Sequence, residues 1–184
     1  HDSIYDEVVD ELASIANDTV IGDGLEQGTK LGPLQNKMQY EKVKELIESA
    51  RQDGNIVAGG EVPDQSGYFI RPTIVRDVTE GSRIVDEEQF GPVLPVIRFT
   101  DESDAIARAN NSDYGLGGSV WSSDLDRAYD VANQMNTGTV WINKHAELDP
   151  GIPFGGSKQS GLGNELGMEG LKEFTQLKMI NMAR

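Results

Sequence analysis

Residues 87–93 read Glu-Glu-Gln-Phe-Gly-Pro-Val, two carboxylates followed closely by an aromatic ring and a Gly-Pro turn. A carboxylate can accept two hydrogen bonds from a vicinal diol, as the acidic residue of dinucleotide sites does with ribose. In an extended segment, residues two apart point to the same side. Glu88 and Phe90 at that spacing could therefore hold a pair of sugar hydroxyls and flank the ring attached to the sugar. The same spacing fits an exposed acid beside a core Phe, which is the commoner origin of such a pattern. A second cluster, Pro153-Phe154-Gly155-Gly156-Ser157-Lys158, sets two glycines after a ring. Backbone without Cβ atoms can approach a ligand closely while the ring forms a wall, and a tight turn anchored by a buried Phe gives the same string.

Other chemistries lack their residues. The chain has no cysteine, which removes disulfides, thiolate metal sites and a cysteine nucleophile from within it. Its two histidines, His1 and His145, are too few for a cluster, and no carboxylate–histidine set has metal-ligand spacing. Gly161-Leu162-Gly163 follows no strand-like run, so it is not read as a phosphate-binding fingerprint. The residues themselves support no catalytic and no metal assignment.

The elements that must position these clusters follow from periodicity. Ser3-Ile4-Tyr5-Asp6 has the form of a capping box, with Ile4, Val8, Leu12 and Ile15 at helical spacing behind it, predicting a helix over 4–17 with that stripe buried. A glycine-rich loop then leads to a helix from Asn36 to Gln52, with Met38, Val43, Ile47 and Ala50 near one face and Gly54 as its left-handed stop. Residues 56–58 predict a short strand. Tyr68–Val75 reads as extended but contains Pro72, which suggests a sheet edge or a crossing arm. The apolar run Val93–Phe99 predicts a buried strand. Helices over 101–110 and 124–135 alternate with strands over 117–121 and 137–142, the pattern of parallel βαβ units. Residues 143–167 form a long Gly- and Pro-containing loop beyond a strand end, where α/β proteins place ligands. A short helix over 165–174 and an alternating strand over 176–182 close the chain. The expected fold is α/β, a three-layer parallel sheet with flanking helices, with one core for 184 residues.

The net charge of −15 and pI near 4.4 disfavour nucleic acid and anionic membrane as partners. The acids are dispersed, as solvated helix exteriors require. No apolar run is long enough to cross a membrane, and the acidic, amphipathic start is unlike a signal peptide, so a cytosolic location is expected.

Taken in order, several segments resemble the NAD(P)-dependent aldehyde dehydrogenase superfamily. They are Gly67-Tyr68-Phe69-Ile70-Arg71-Pro72-Thr73, the Glu87–Val93 string, Asn110-Asn111-Ser112-Asp113-Tyr114-Gly115-Leu116, Gly138-Thr139-Val140-Trp141-Ile142-Asn143, Pro153–Gly161 and Glu165-Leu166-Gly167. The resemblance implies that Glu88 hydrogen-bonds the nicotinamide ribose of NAD or NADP and that Phe90 packs near the nicotinamide. It implies that Gln39 and Lys42 lie on a helix approaching the same ribose. Phe154 would form an aromatic wall of the aldehyde tunnel, and Leu148 would line the substrate. The family's cysteine attacks a small-molecule aldehyde to form a thiohemiacetal, and a Glu-activated water releases the acid. By the same resemblance, the nucleophile, the Glu base and the Rossmann half lie upstream of His1. The chain then divides into part of a catalytic domain, residues 1–175, and an oligomerisation strand, 176–184, that assembles a homo-oligomer. Two alternatives are a CoA-acylating member of the same family and a non-catalytic binding or assembly protein that keeps the fold.

Overall fold

A computed structural model describes residues 1–183 of the 184. The chain divides into two compact units, His1–Thr100 and the remainder from Asp101, where length alone suggested one core.

In the first unit a single turn of 3-10 helix precedes α1 (Tyr5–Asp18), and α2 spans Lys37–Asp53. Strands β1 (Asn55–Ala58), β2 (Thr73–Arg76) and β3 (Val93–Pro95) form one sheet in that order, with the short helix α3 (Arg83–Asp86) between β2 and β3. β1 runs antiparallel to β2, and β2 runs parallel to β3. Adjacent residues of β2 face opposite ways. Ile74 packs with Ala16 of α1, and Val75 packs with Val43, Leu46, Ile47 and Ala50 of α2. The unit is therefore helix, sheet, helix, the three-layer α/β arrangement.

Four expectations are corrected here. The buried face of α1 is Tyr5, Val9 and Ala16, while Ile4, Val8 and Ile15 are 50, 40 and 56% exposed. Tyr5 sets that rotation: its hydroxyl donates to the Val96 carbonyl and accepts from the Asp77 amide, each at 3.0 Å. Ser3 does not cap α1; its amide donates to His1 Nδ1 at 3.2 Å, and the N-cap Ile4 has no side-chain bond. On α2, Asn36 caps as expected, accepting from the Gln39 amide at 2.9 Å, but Met38 is exposed. Gly54 ends this helix in extended backbone, not left-handed. Glycine is required there by proximity, since a Cβ would lie 2.3 Å from Val78 Cγ1.

β2 is the central strand, with Thr73, Ile74 and Val75 all buried. Pro72 does not force it to an edge because pairing starts one residue later, where the Thr73 amide donates to the Pro92 carbonyl at 2.8 Å. β3 is shorter than its apolar run; it sits at the sheet's edge and leaves Leu94 exposed.

The second unit holds α4 (Glu102–Asn110), β4 (Tyr114–Gly115), β5 (Gly117–Val120), α5 (Leu125–Gln134), β6 (Thr139–Ile142), β7 (Ser157–Lys158) and α6 (Gly167–Glu173). Asp101 and Asp124 cap α4 and α5, each accepting the amide three residues on. β5 and β6 are parallel and joined through α5, a βαβ unit. β4 and β7 pair antiparallel. Residues 176–183 carry no strand. Leu177, Met179, Ile180 and Met182 are exposed, and a strand requires a ladder partner that no described residue supplies. Among the described residues, no helix is long and apolar enough to cross a membrane.

Candidate functional site

The Glu87–Gly91 turn lies directly on α2. Gln39 and Lys42, three residues apart, share a face of that helix. Lys42 Nζ donates to the Glu88 carbonyl at 2.6 Å, and Gln39 Nε2 donates to the Gln89 carbonyl. Gln89 Nε2 in turn donates to the Val93 carbonyl at 2.8 Å. A Cβ on Gly91 would lie 2.5 Å from Val43 Cγ2, so only glycine lets the turn rest this close to the helix. Gln39, Lys42 and Glu88 are thus brought together, but the two donors grip backbone and not the acid.

The half-buried Glu88 carboxylate has no hydrogen bond among the described residues. Its neighbour Glu87 is engaged instead: Arg83 Nε and Nη2 bind its two oxygens at 2.5 and 3.2 Å. That Arg83 bond, and the charges of Arg83 and Lys42, hold Glu87 below the usual carboxylate range against the opposing effect of burial. Phe90 is 71% exposed and has φ +43°. Its left-handed backbone breaks the extended geometry that would set it on the same side as Glu88, so the spacing argument does not carry over.

In the second unit, Phe154 bridges to Glu165 through reciprocal backbone bonds of 2.8 and 2.7 Å. Its ring lies 6.4 Å from Trp141, whose Nε1 donates to the Glu147 carbonyl at 2.9 Å. Leu148, the next residue, is exposed. A cavity of about 380 Å³ lies beside Phe154, with Leu116, Leu162 and Glu173 among its walls.

The glycines of this loop let its own backbone and side-chain atoms pack closely. A Cβ on Gly155 would meet Asn164 Oδ1 at 2.4 Å, and one on Gly156 would meet Ser160 Cβ at 2.8 Å. Lys158, left-handed at φ +56°, donates to the Asn110 and Ser112 carbonyls at 2.8 and 2.9 Å, closing the end of α4. Ser160 Oγ accepts from the Gly115 amide at 2.9 Å. Asn110 itself donates to the Gln134 carbonyl and accepts from the Asn136 amide, each at 2.7 Å. The strings around 110–116 and 153–161 are therefore two halves of one knot.

Sequence reasoning passed over Arg83, Gln89 and Lys158. The i,i+4 spacing of Arg83 and Glu87 was the available signal for the first; bonds to backbone leave no comparable trace. Among the described residues, no three His, Asp or Glu side chains are grouped to hold a metal ion.

The first unit, helix–sheet–helix, carries on its α2 side the Glu88 carboxylate, without a hydrogen bond among the described residues, and the second, built on a βαβ unit, carries a loop walled by Phe154, both within an α/β protein. Residues 1–180 match the aldehyde dehydrogenase family model, and the chain belongs to that family. It is 44% identical to succinate-semialdehyde dehydrogenase [NADP(+)] of Deinococcus radiodurans over 97% of this chain and 38% of that protein. It is 42% identical to aldehyde dehydrogenase 1A1 of Bos taurus over 98% of this chain and 36% of that protein. The structure of a Bacillus cereus aldehyde dehydrogenase in complex with NAD+ superposes with a TM-score of 0.92 at 44% identity, covering 97% of this chain and 36% of the other. The chain thus spans little more than a third of the length of these relatives.

Proposed function

We propose that this chain supplies the ribose-facing carboxylate and the aldehyde-facing ring of an NAD(P)-dependent aldehyde dehydrogenase that oxidises an aldehyde to a carboxylic acid. The observation that carries this reading is the state of Glu88. Lys42 and Gln39 occupy the carbonyls of its turn, while the carboxylate, which can only accept, is left for hydroxyl donors. An exposed Phe90 ring nearby in the chain suits a planar ligand. When bound, the cofactor supplies the hydride acceptor. The chain's own part is to orient: Glu88 accepts from the sugar, Gln39 and Lys42 keep the turn from moving, and Phe154 walls the aldehyde side from water.

The cofactor on this reading is NAD or NADP, in line with a relative named for NADP+ and a neighbour holding NAD+. With no cysteine, these residues by themselves should reduce no cofactor in the presence of aldehydes. We assign residues 1–175 to the catalytic domain and 176–184 to an assembly strand of a homo-oligomer, with the protein in the cytosol. Light scattering with and without residues 176–184 tests the assembly role; equal mass for both overturns it. For the site, Glu88→Gln in the complete enzyme should weaken cofactor binding by about 1.5–3 kcal/mol, one charge-assisted hydrogen bond, at unchanged thermal stability. An unchanged cofactor Kd and kcat would refute the ribose role.

A further inference from the structure

Gln89 stands between an acid and a ring with proposed roles, and it is tied at both ends. Its carbonyl accepts from Gln39 Nε2, and its own Nε2 crosses the turn to the Val93 carbonyl at 2.8 Å. Between those two bonds lie Phe90, at φ +43°, and Gly91, seated on Val43. A non-glycine residue stays in the left-handed region only where its surroundings hold it there. Five carbonyls from 88 to 93 are engaged: those of 88 and 89 by side chains of α2, that of 91 by the Val93 amide at 2.8 Å, that of 92 by the Thr73 amide at 2.8 Å, and that of 93 by the Gln89 side chain. The α2 end is rigid, because Val43, Leu46, Ile47 and Ala50 are buried in the core. Of the three side-chain pins, the Gln89 amide is the one that belongs to the turn itself, and its bond spans both Phe90 and Gly91.

We propose that Gln89 is a positioning residue for cofactor binding: its staple to Val93 holds the left-handed turn at Phe90 and thereby fixes the aim of the Glu88 carboxylate. This rests on the reading of Glu88 as ribose acceptor. Without the staple, Phe90 relaxes toward negative φ, the peptide planes on either side of Gln89 turn with it, and Glu88 loses its fixed direction. The side chain touches no reacting atom.

The test is calorimetric titration of the complete enzyme with NAD+ and with NADP+. Gln89→Leu keeps the bulk and removes the donor. It should raise the cofactor Kd about threefold to tenfold, the worth of one hydrogen bond, leaving the aldehyde KM and the cofactor-free thermal midpoint unchanged. Gln89→Lys restores a donor of similar reach and should return most of the affinity. In a Glu88→Gln background, Gln89→Leu should add nothing, because the two act as one unit. If the Leu variant does not fold, Gln89→Met, also without a donor, carries the same expectation. Unchanged Kd in the donor-free variant, with or without a lower midpoint, overturns the proposal while leaving Glu88 intact. A full effect that persists beside Glu88→Gln overturns action through Glu88. Unchanged Kd in Glu88→Gln alone sinks the underlying ribose reading, a separate result.

Discussion

A Cβ placed on Gly138 would lie 1.7 Å from the carbonyl oxygen of Gly155. Two backbones touch there, the approach to β6 and the loop that follows Phe154. Neither a rotamer change nor a small shift relieves an overlap with a main-chain carbonyl. Gly138→Ala should cost on the order of 2–4 kcal/mol of stability, measured by denaturant unfolding of the protein. An unchanged midpoint would mean the two segments can separate freely.

Lys158 closes the end of α4 with two bonds to carbonyls of residues 110 and 112. A cation at a helix C-terminus gains from the helix dipole as well. Lys158→Met should lower stability by about 1–2 kcal/mol, and added salt should narrow the gap from wild type. Thermal melts at low and high ionic strength check both points.

Asp77 is held below the usual aspartate range, first by the Asn55 amide at 3.1 Å and then by Arg76 and Arg98, against the effect of burial. Its folded pKa is lower than its unfolded one. The stabilisation is therefore complete above the unfolded value and is lost as pH falls through the folded one. Asn55→Ala should move the Asp77 carboxyl back up, so that the acid loss of stability is smaller and ends at higher pH. Carbon-detected NMR titration of Asp77 reads this directly; an unmoved titration refutes the Asn55 contribution.

Phe154→Ala in the complete enzyme should raise the aldehyde KM several-fold while leaving the cofactor Kd alone, on the order of 1–2 kcal/mol for removing an aromatic wall. Steady-state kinetics beside cofactor titration separates the two. A change confined to cofactor binding would refute its place on the aldehyde side.

Much of the α/β class was legible because helices α2, α4 and α5 carry strong periodicity and side-chain caps at Asn36, Asp101 and Asp124. The face of α1 was not legible. Two stripes compete there, and the winner is chosen by Tyr5 reaching residues far along the chain. Pro72 misled for a different reason: composition reports a missing donor but not which residue first needs one. At the site, the strings containing Glu88 and Phe154 stood out by residue type. The grip of Lys42 on a carbonyl did not, since a bond to backbone demands nothing of its partner's side chain. The glycines at 155 and 156 read as room for a ligand and are filled by the chain's own atoms.

The first unit's core also sets an order of assembly. The large cluster from Val43 to Val93 is drawn from one continuous stretch, α2 through β3, so its loops close at modest entropic cost. By contrast, Tyr5 bonds partners 72 and 91 residues away, and α1 covers a sheet face that must already exist. Contacts of such separation form late. Mutations in α1 should therefore speed unfolding and barely slow folding, whereas mutations at Val75 or Leu46 slow folding itself. Within the first unit, α1 should dock after the sheet it covers.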